Sequence, residues 1–109
     1  NSIDCMHIYF PDPWSKKSRR KHRILSADFL SKMHPYFRSS GELRFKTDHL
    51  EYFETVTEIL LKIENYKIVE RTTNLQRSNY NENNILTEFE MLFKSKGNPP
   101  IGYLLAETL

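Results

Sequence analysis

Residues 10 to 23 read FPDPWSKKSRRKHR, Phe10 to Arg23, and they join a stiff acidic turn to the only dense block of positive charge in the chain. The run before it, Ile3 to Tyr9 (IDCMHIY), is largely apolar and predicts a buried strand leaving a sheet. Pro11 and Pro13 fix φ on either side of Asp12 and push Phe10 and Asp12 towards extended geometry, so the carboxylate is held in place. Open α/β sheets bind ligands outside the carboxyl ends of their strands, which is where Asp12 falls.

Just after the turn come Lys16, Lys17, Arg19, Arg20, Lys21 and Arg23, with His22 among them. Without these six cations the chain keeps ten Lys and Arg against 14 Asp and Glu, a net charge of −4 rather than +2. The basicity is therefore local. A patch this dense suits a polyanion, because each phosphate it neutralises releases counterions and adds affinity without reading sequence. A solvated charge run or a sorting signal has the same composition. The carboxylate and Trp14 beside the patch, at the mouth of a sheet, favour the binding surface.

A chain of 109 residues, 39% hydrophobic and 13% aromatic, is one small globular domain at most. Cys5 is the sole cysteine and lies in an apolar run, which excludes an intrachain disulfide and points to a reducing, cytoplasmic compartment. No apolar run approaches membrane-spanning length, and no Cys/His spacing suits a metal. Gly41, Gly97 and Gly102 are the only glycines, and none is spaced as GxG, so the chain carries no nucleotide-binding glycine loop.

Along the chain, Ser26 predicts the N-cap of a helix with Asp28 in its first turn and Leu25 stapled to Leu30. Phe29, Leu30, Met33 and Phe37 form its apolar face, and Pro35 predicts a break near His34. Glu42 to Lys46 alternates as a strand ended by Thr47 and Asp48. Asp48 and Glu51 fit a capping box for a helix from Leu50 to Glu64, with Leu50, Phe53, Val56 or Thr57, Leu60 and Ile63 inward. Tyr66 to Thr72 reads as a third strand, Thr73 to Asn84 as a polar loop, and Leu86 to Lys94 as an alternating strand antiparallel to its neighbour. Ile101 to Ala106 reads as a short edge strand.

FPDPW followed by the Lys/Arg block, Thr47-Asp48 at a strand end, and Thr87-Glu88-Phe89-Glu90 as a closing TxxE motif, in this order and spacing, resemble the tRNA (guanine-N7-)-methyltransferase family. The resemblance covers nearly the whole chain but only the C-terminal part of that family's domain. It implies an α/β fold, the C-terminal half of a Rossmann-like S-adenosylmethionine-dependent methyltransferase with a mixed sheet and an antiparallel last strand. Residues 1–109 would then be a C-terminal segment whose absent N-terminal half carries the glycine loop and the ribose-binding acid, and the segment would be inactive alone. The resemblance further implies that S-adenosyl-L-methionine is the cofactor, tRNA the partner, and N7 of a variable-loop guanine the methyl acceptor. Carried over by residue, Asp12 serves catalysis and the cofactor, Lys16 and Asp48 contact substrate, and Thr87, Glu88, Phe89 and Glu90 close the site. Ser18, Arg19, Arg20, Lys21, His22 and Arg23 form the RNA-facing stretch. This stretch departs from the family pattern: Ser18 and His22 stand where Arg is usual, and Arg19 and Arg20 where His is frequent. Charge is kept while identities are permuted.

The chemistry asks little of a base, because guanine N7 has an in-plane lone pair and methyl transfer from a sulfonium needs alignment above all. A carboxylate near the methyl complements the sulfonium, and a second accepts from the N1–H and N2–H2 edge that adenine lacks. Asp12 fits the first role, and Glu90 or Asp48 the second. Trp14 can stack on a base or simply pack. A non-catalytic RNA-binding module or partner subunit with the same fold is the alternative reading, and oligomeric state leaves no mark on the sequence.

Overall fold

The computed structural model describes residues 2–75 and 100–109. In chain order the elements are β1 (Ile3–Tyr9), a 3-10 turn (Lys17–His22), α1 (Ala27–Met33), a second 3-10 turn (His34–Tyr36), β2 (Phe37–Thr47), α2 (Leu50–Lys62), β3 (Tyr66–Thr72) and β4 (Gly102–Thr108). The described strands form one mixed sheet in the order β1-β2-β4-β3. β1 and β2 are parallel, whereas β4 runs antiparallel to both β2 and β3. This is the mixed α/β sheet that the resemblance implied, with its antiparallel member at Gly102–Thr108.

α1 and α2 cover one face of the sheet. Leu43, Phe45, Leu104 and Ala106 from the strands meet Leu25, Leu30, Phe53, Val56 and Leu60 from the helical segments in the main core. Apolar contact of this kind, about 25 cal/mol per Å² removed from water, is the force that fixes the layer. A smaller cluster of Leu75, Ile101, Tyr103 and Leu105, with Phe10 against it, lies apart from the main core. Residues 101 to 106 are buried without alternation, as a strand covered on both faces must be.

Four expectations are corrected. Ile101 to Ala106 is no edge: its strand lies between β2 and β3. β2 starts at Phe37, so Phe37 joins the core from the strand rather than from α1, because Pro35 closes the helical path into a 3-10 turn and the chain then extends. Leu50 is 61% exposed, and Tyr52 takes the inward position at the start of α2. Asp48 does not cap α2. His49 does, its Nδ1 accepting from Tyr52 N at 3.1 Å. Ser26 caps α1 as expected, accepting from Phe29 N at 3.1 Å. The Leu86–Lys94 strand and the TxxE stretch, Thr87 to Glu90, lie outside the described residues.

Candidate functional site

Parallel pairing brings the two acidic positions to one edge. Tyr9 is in register with Lys46, and Phe10 N donates to Lys46 O at 2.8 Å, extending the ladder to the mouth of the turn. Asp12 lies three residues past Tyr9 and Asp48 two past Lys46, so both carboxylates leave the sheet at the carboxyl ends of neighbouring strands. Both are exposed. Thr47 is buried, and its Oγ1 accepts from His49 N at 3.1 Å, which turns the chain out of β2. With His49 as cap, Asp48 projects at this edge without a helix to serve.

The acidic turn is held tightly. Phe10 and Trp14 have φ of 54° and 44°, a left-handed region that bulky residues rarely adopt. Trp14 N donates to Asp12 Oδ1 at 2.9 Å, an Asx-type closure around Pro13. Asp12, Trp14, Ser15, Lys16 and Arg19 line an open cavity of about 300 Å³. A carboxylate, an indole and two cations thus share one hollow. The indole also meets His22, with ring centroids 5.2 Å apart.

The basic stretch folds as the 3-10 turn, with no buried residue between Lys17 and His22. Ser18, Arg19, Arg20, Lys21 and His22 are exposed. Arg20 reaches Glu51 at 3.5 Å, while Asp28, the acidic neighbour nearer in sequence, pairs instead with Lys32 at 3.0 Å. Arg23 departs from the expected outward set: it is 6% exposed and turned inward. Its Nη1 donates to Glu51 Oε2 at 3.0 Å, its Nη2 to Glu51 Oε1, and its Nε to the carbonyl of Pro13. The guanidinium also stacks over the Tyr52 ring, 4.6 Å from its centroid. Hydrogen bonds from Arg23 and then from Thr55 hold the Glu51 carboxyl down at about 2, against an ordinary 4.5.

Two participants were not singled out from sequence. Glu51 passed as half of a capping box, since an acid three residues after Asp48 fits that pattern. Lys46 counts in the sequence only as the last residue of an alternating strand, yet it is 2% exposed with its Nζ 4.4 Å from the centroid of Tyr9. Alternation identifies the face of a strand residue but not whether that face is covered. Among the described residues no group of three His, Cys, Asp or Glu is placed to hold a metal, and no helix is long and apolar enough to cross a membrane.

A family described as putative methyltransferase matches residues 1–102. The chain belongs to this methyltransferase family, and its relatives carry the resemblance to the tRNA (guanine-N7-)-methyltransferases. A tRNA (guanine-N(7)-)-methyltransferase of Mycoplasma pneumoniae is 40% identical over 97 residues, covering 88% of this chain and 46% of the relative. One from Rhodopirellula baltica is 47% identical over 62 residues, covering 57% of this chain and 23% of the relative. A bifunctional glycosyltransferase/methyltransferase of Fusobacterium nucleatum is 39% identical over 104 residues, covering 95% of this chain and 16% of the relative. The chain spans less than half the length of each of these relatives.

Proposed function

We propose that this chain forms the substrate-facing part of a tRNA (guanine-N7-)-methyltransferase whose methyl donor is S-adenosyl-L-methionine. The observation that carries the reading is the pairing of Asp12 and Asp48 on one sheet edge, beside a hollow that also holds Trp14 and two cations. The donor set fits: an exposed carboxylate beside an indole complements a sulfonium. When bound, S-adenosyl-L-methionine supplies the methyl group on that sulfonium. Asp12 serves cofactor and catalysis by orienting charge at the reacting centre, and Trp14 offers a face for a base. Asp48 or Glu90 accepts from the guanine N1–H and N2–H2 edge, and Thr87, Glu88, Phe89 and Glu90 close the site.

Lys16 contacts substrate from the wall of the hollow. Ser18, Arg19, Arg20, Lys21 and His22 face the tRNA backbone near the variable-loop guanine, and Arg23 is assigned to the interior. The lone Cys5 supports a reducing, cytoplasmic setting. The 109 residues alone, without a glycine loop, turn over no cofactor.

The test is Asp12→Asn in the full-length protein. The amide keeps an oxygen for Trp14 N, so the turn is preserved while the charge is removed. The methylation rate falls by roughly a hundredfold or more, the scale of lost transition-state electrostatics, with tRNA affinity retained. Equal turnover by the variant removes Asp12 from the site.

A further inference from the structure

The Pro13–Trp14 peptide is held at both of its polar ends. Its N–H donates to Asp12 Oδ1, and its carbonyl oxygen accepts from Arg23 Nε. No cis peptide bond occurs among the described residues. In a trans peptide the two groups point in opposite directions across one rigid plane, so fixing the oxygen fixes the N–H and with it the carboxylate that the N–H grips. Arg23 is itself fixed by the fork onto both oxygens of Glu51 and by the Tyr52 ring beneath it. Glu51 stands in the first turn of α2, the helix that follows Asp48. The left-handed φ at Phe10 and Trp14 means that the turn is not the conformation its residues would choose unaided, so its shape depends on contacts made from outside.

We propose that Glu51, Arg23 and the Pro13–Trp14 peptide form a positioning relay that sets the direction of the Asp12 carboxylate from the N-terminal end of α2. The inference rests on the methyl-transfer reading of this site. Its consequence is that Asp12 and Asp48, which follow different strands, are referred to the same helix end and keep a fixed separation. Neither Arg23 nor Glu51 touches substrate in this scheme. The fork is needed for it, because a lysine carries the same charge but cannot hold a carboxylate at two points and a carbonyl at a third.

The test uses Arg23→Lys and Glu51→Gln in the full-length protein, with two readouts. Amide exchange of Trp14 reports the relay directly, and the two prolines leave only Phe10, Asp12 and Trp14 with amides in the turn. Steady-state kinetics at saturating S-adenosyl-L-methionine, with tRNA varied, report its effect on the reaction. The relay predicts faster Trp14 exchange, a kcat lowered roughly ten- to a hundredfold by misalignment, and a KM for tRNA within about twofold of wild type. Variants that remain fully folded at the assay temperature, whatever the modest shift in their thermal midpoint, yet show this split exclude a merely structural role. Unchanged Trp14 exchange overturns the relay, and so does faster exchange with unchanged kcat. Loss of tRNA affinity with kcat retained also overturns it, by making Arg23 a binding residue. Should either variant fail to fold, the same measurements on Tyr52→Phe, which keeps the ring under Arg23 and removes only the hydroxyl that accepts from Leu25 N, decide by the Trp14 exchange whether the fork or general packing holds the turn: unchanged exchange there supports the relay, and faster exchange overturns it. A wild-type protein that methylates no tRNA sinks the underlying reading before any variant is compared.

Discussion

Arg23 and Glu51 show how one buried cation can change the meaning of a charged stretch. A guanidinium taken out of water needs a full set of acceptors, and Arg23 finds them in two carboxylate oxygens and a backbone carbonyl. Glu51 remains 39% exposed on its side chain, so water and salt weaken the pair relative to what its acid shift alone suggests. The direction of the pH dependence is still set by that shift. Glu51 is held at about 2 when folded and titrates near 4.5 otherwise, so its contribution to stability is complete above 4.5 and is lost as pH falls from there through 2. Thermal midpoints of wild type and Glu51→Gln, measured from pH 7 down to pH 2, should therefore differ most at the neutral end and converge across that window. A gap that stays constant with pH would show that Glu51 adds nothing through its charge.

At the scale of elements, β4 is the piece on which the sheet closes. Gly102 lies directly against α2: a Cβ built there lies 2.7 Å from the ring of Phe53, which is wholly buried. Gly102→Ala should destabilise the fold by about 1–3 kcal/mol, the usual cost of overpacking, read as a lower denaturation midpoint. A neutral result would mean that α2 lies further from β4 than described. The strands and helices themselves were largely legible, because Ser26, Pro35 and the alternation of Glu42 to Lys46 each act within a few residues. The place of β4 was less so: Ile101 to Ala106 looks short, although its unbroken apolar run is the mark of a strand covered on both faces. The cap of α2 was misread because Asp48 is a common capping residue, whereas His49 takes the bond through a ring nitrogen. The 3-10 turn also separates cations that composition treats alike. Arg19 lines the hollow, while Arg20 lies 3.5 Å from Glu51. Arg19→Ala should flatten the dependence of log tRNA affinity on log salt by about 0.7 to 0.9, and Arg20→Ala by less. Equal slopes for both variants and wild type would leave the turn a solvated charge run.

For the whole molecule, the parallel pair β1 and β2 supplies the acidic edge, the 3-10 turn supplies cations beside it, and α2 braces the two through Arg23 and Glu51. The acidic edge was legible because FPDPW and Thr47-Asp48 are short local signals. The brace was not, since it joins residues 28 apart in sequence that only the packed fold brings together. The central claim is that this edge is where a guanine in tRNA receives its methyl group. The most direct measurement incubates the full-length protein with methyl-labelled S-adenosyl-L-methionine and tRNA, digests the RNA to nucleosides, and locates the label by mass spectrometry, with Asp12→Asn alongside. The account predicts label in 7-methylguanosine with wild type and its near loss in the variant. Label in any other nucleoside, no label with wild type, or equal 7-methylguanosine from both proteins would contradict it.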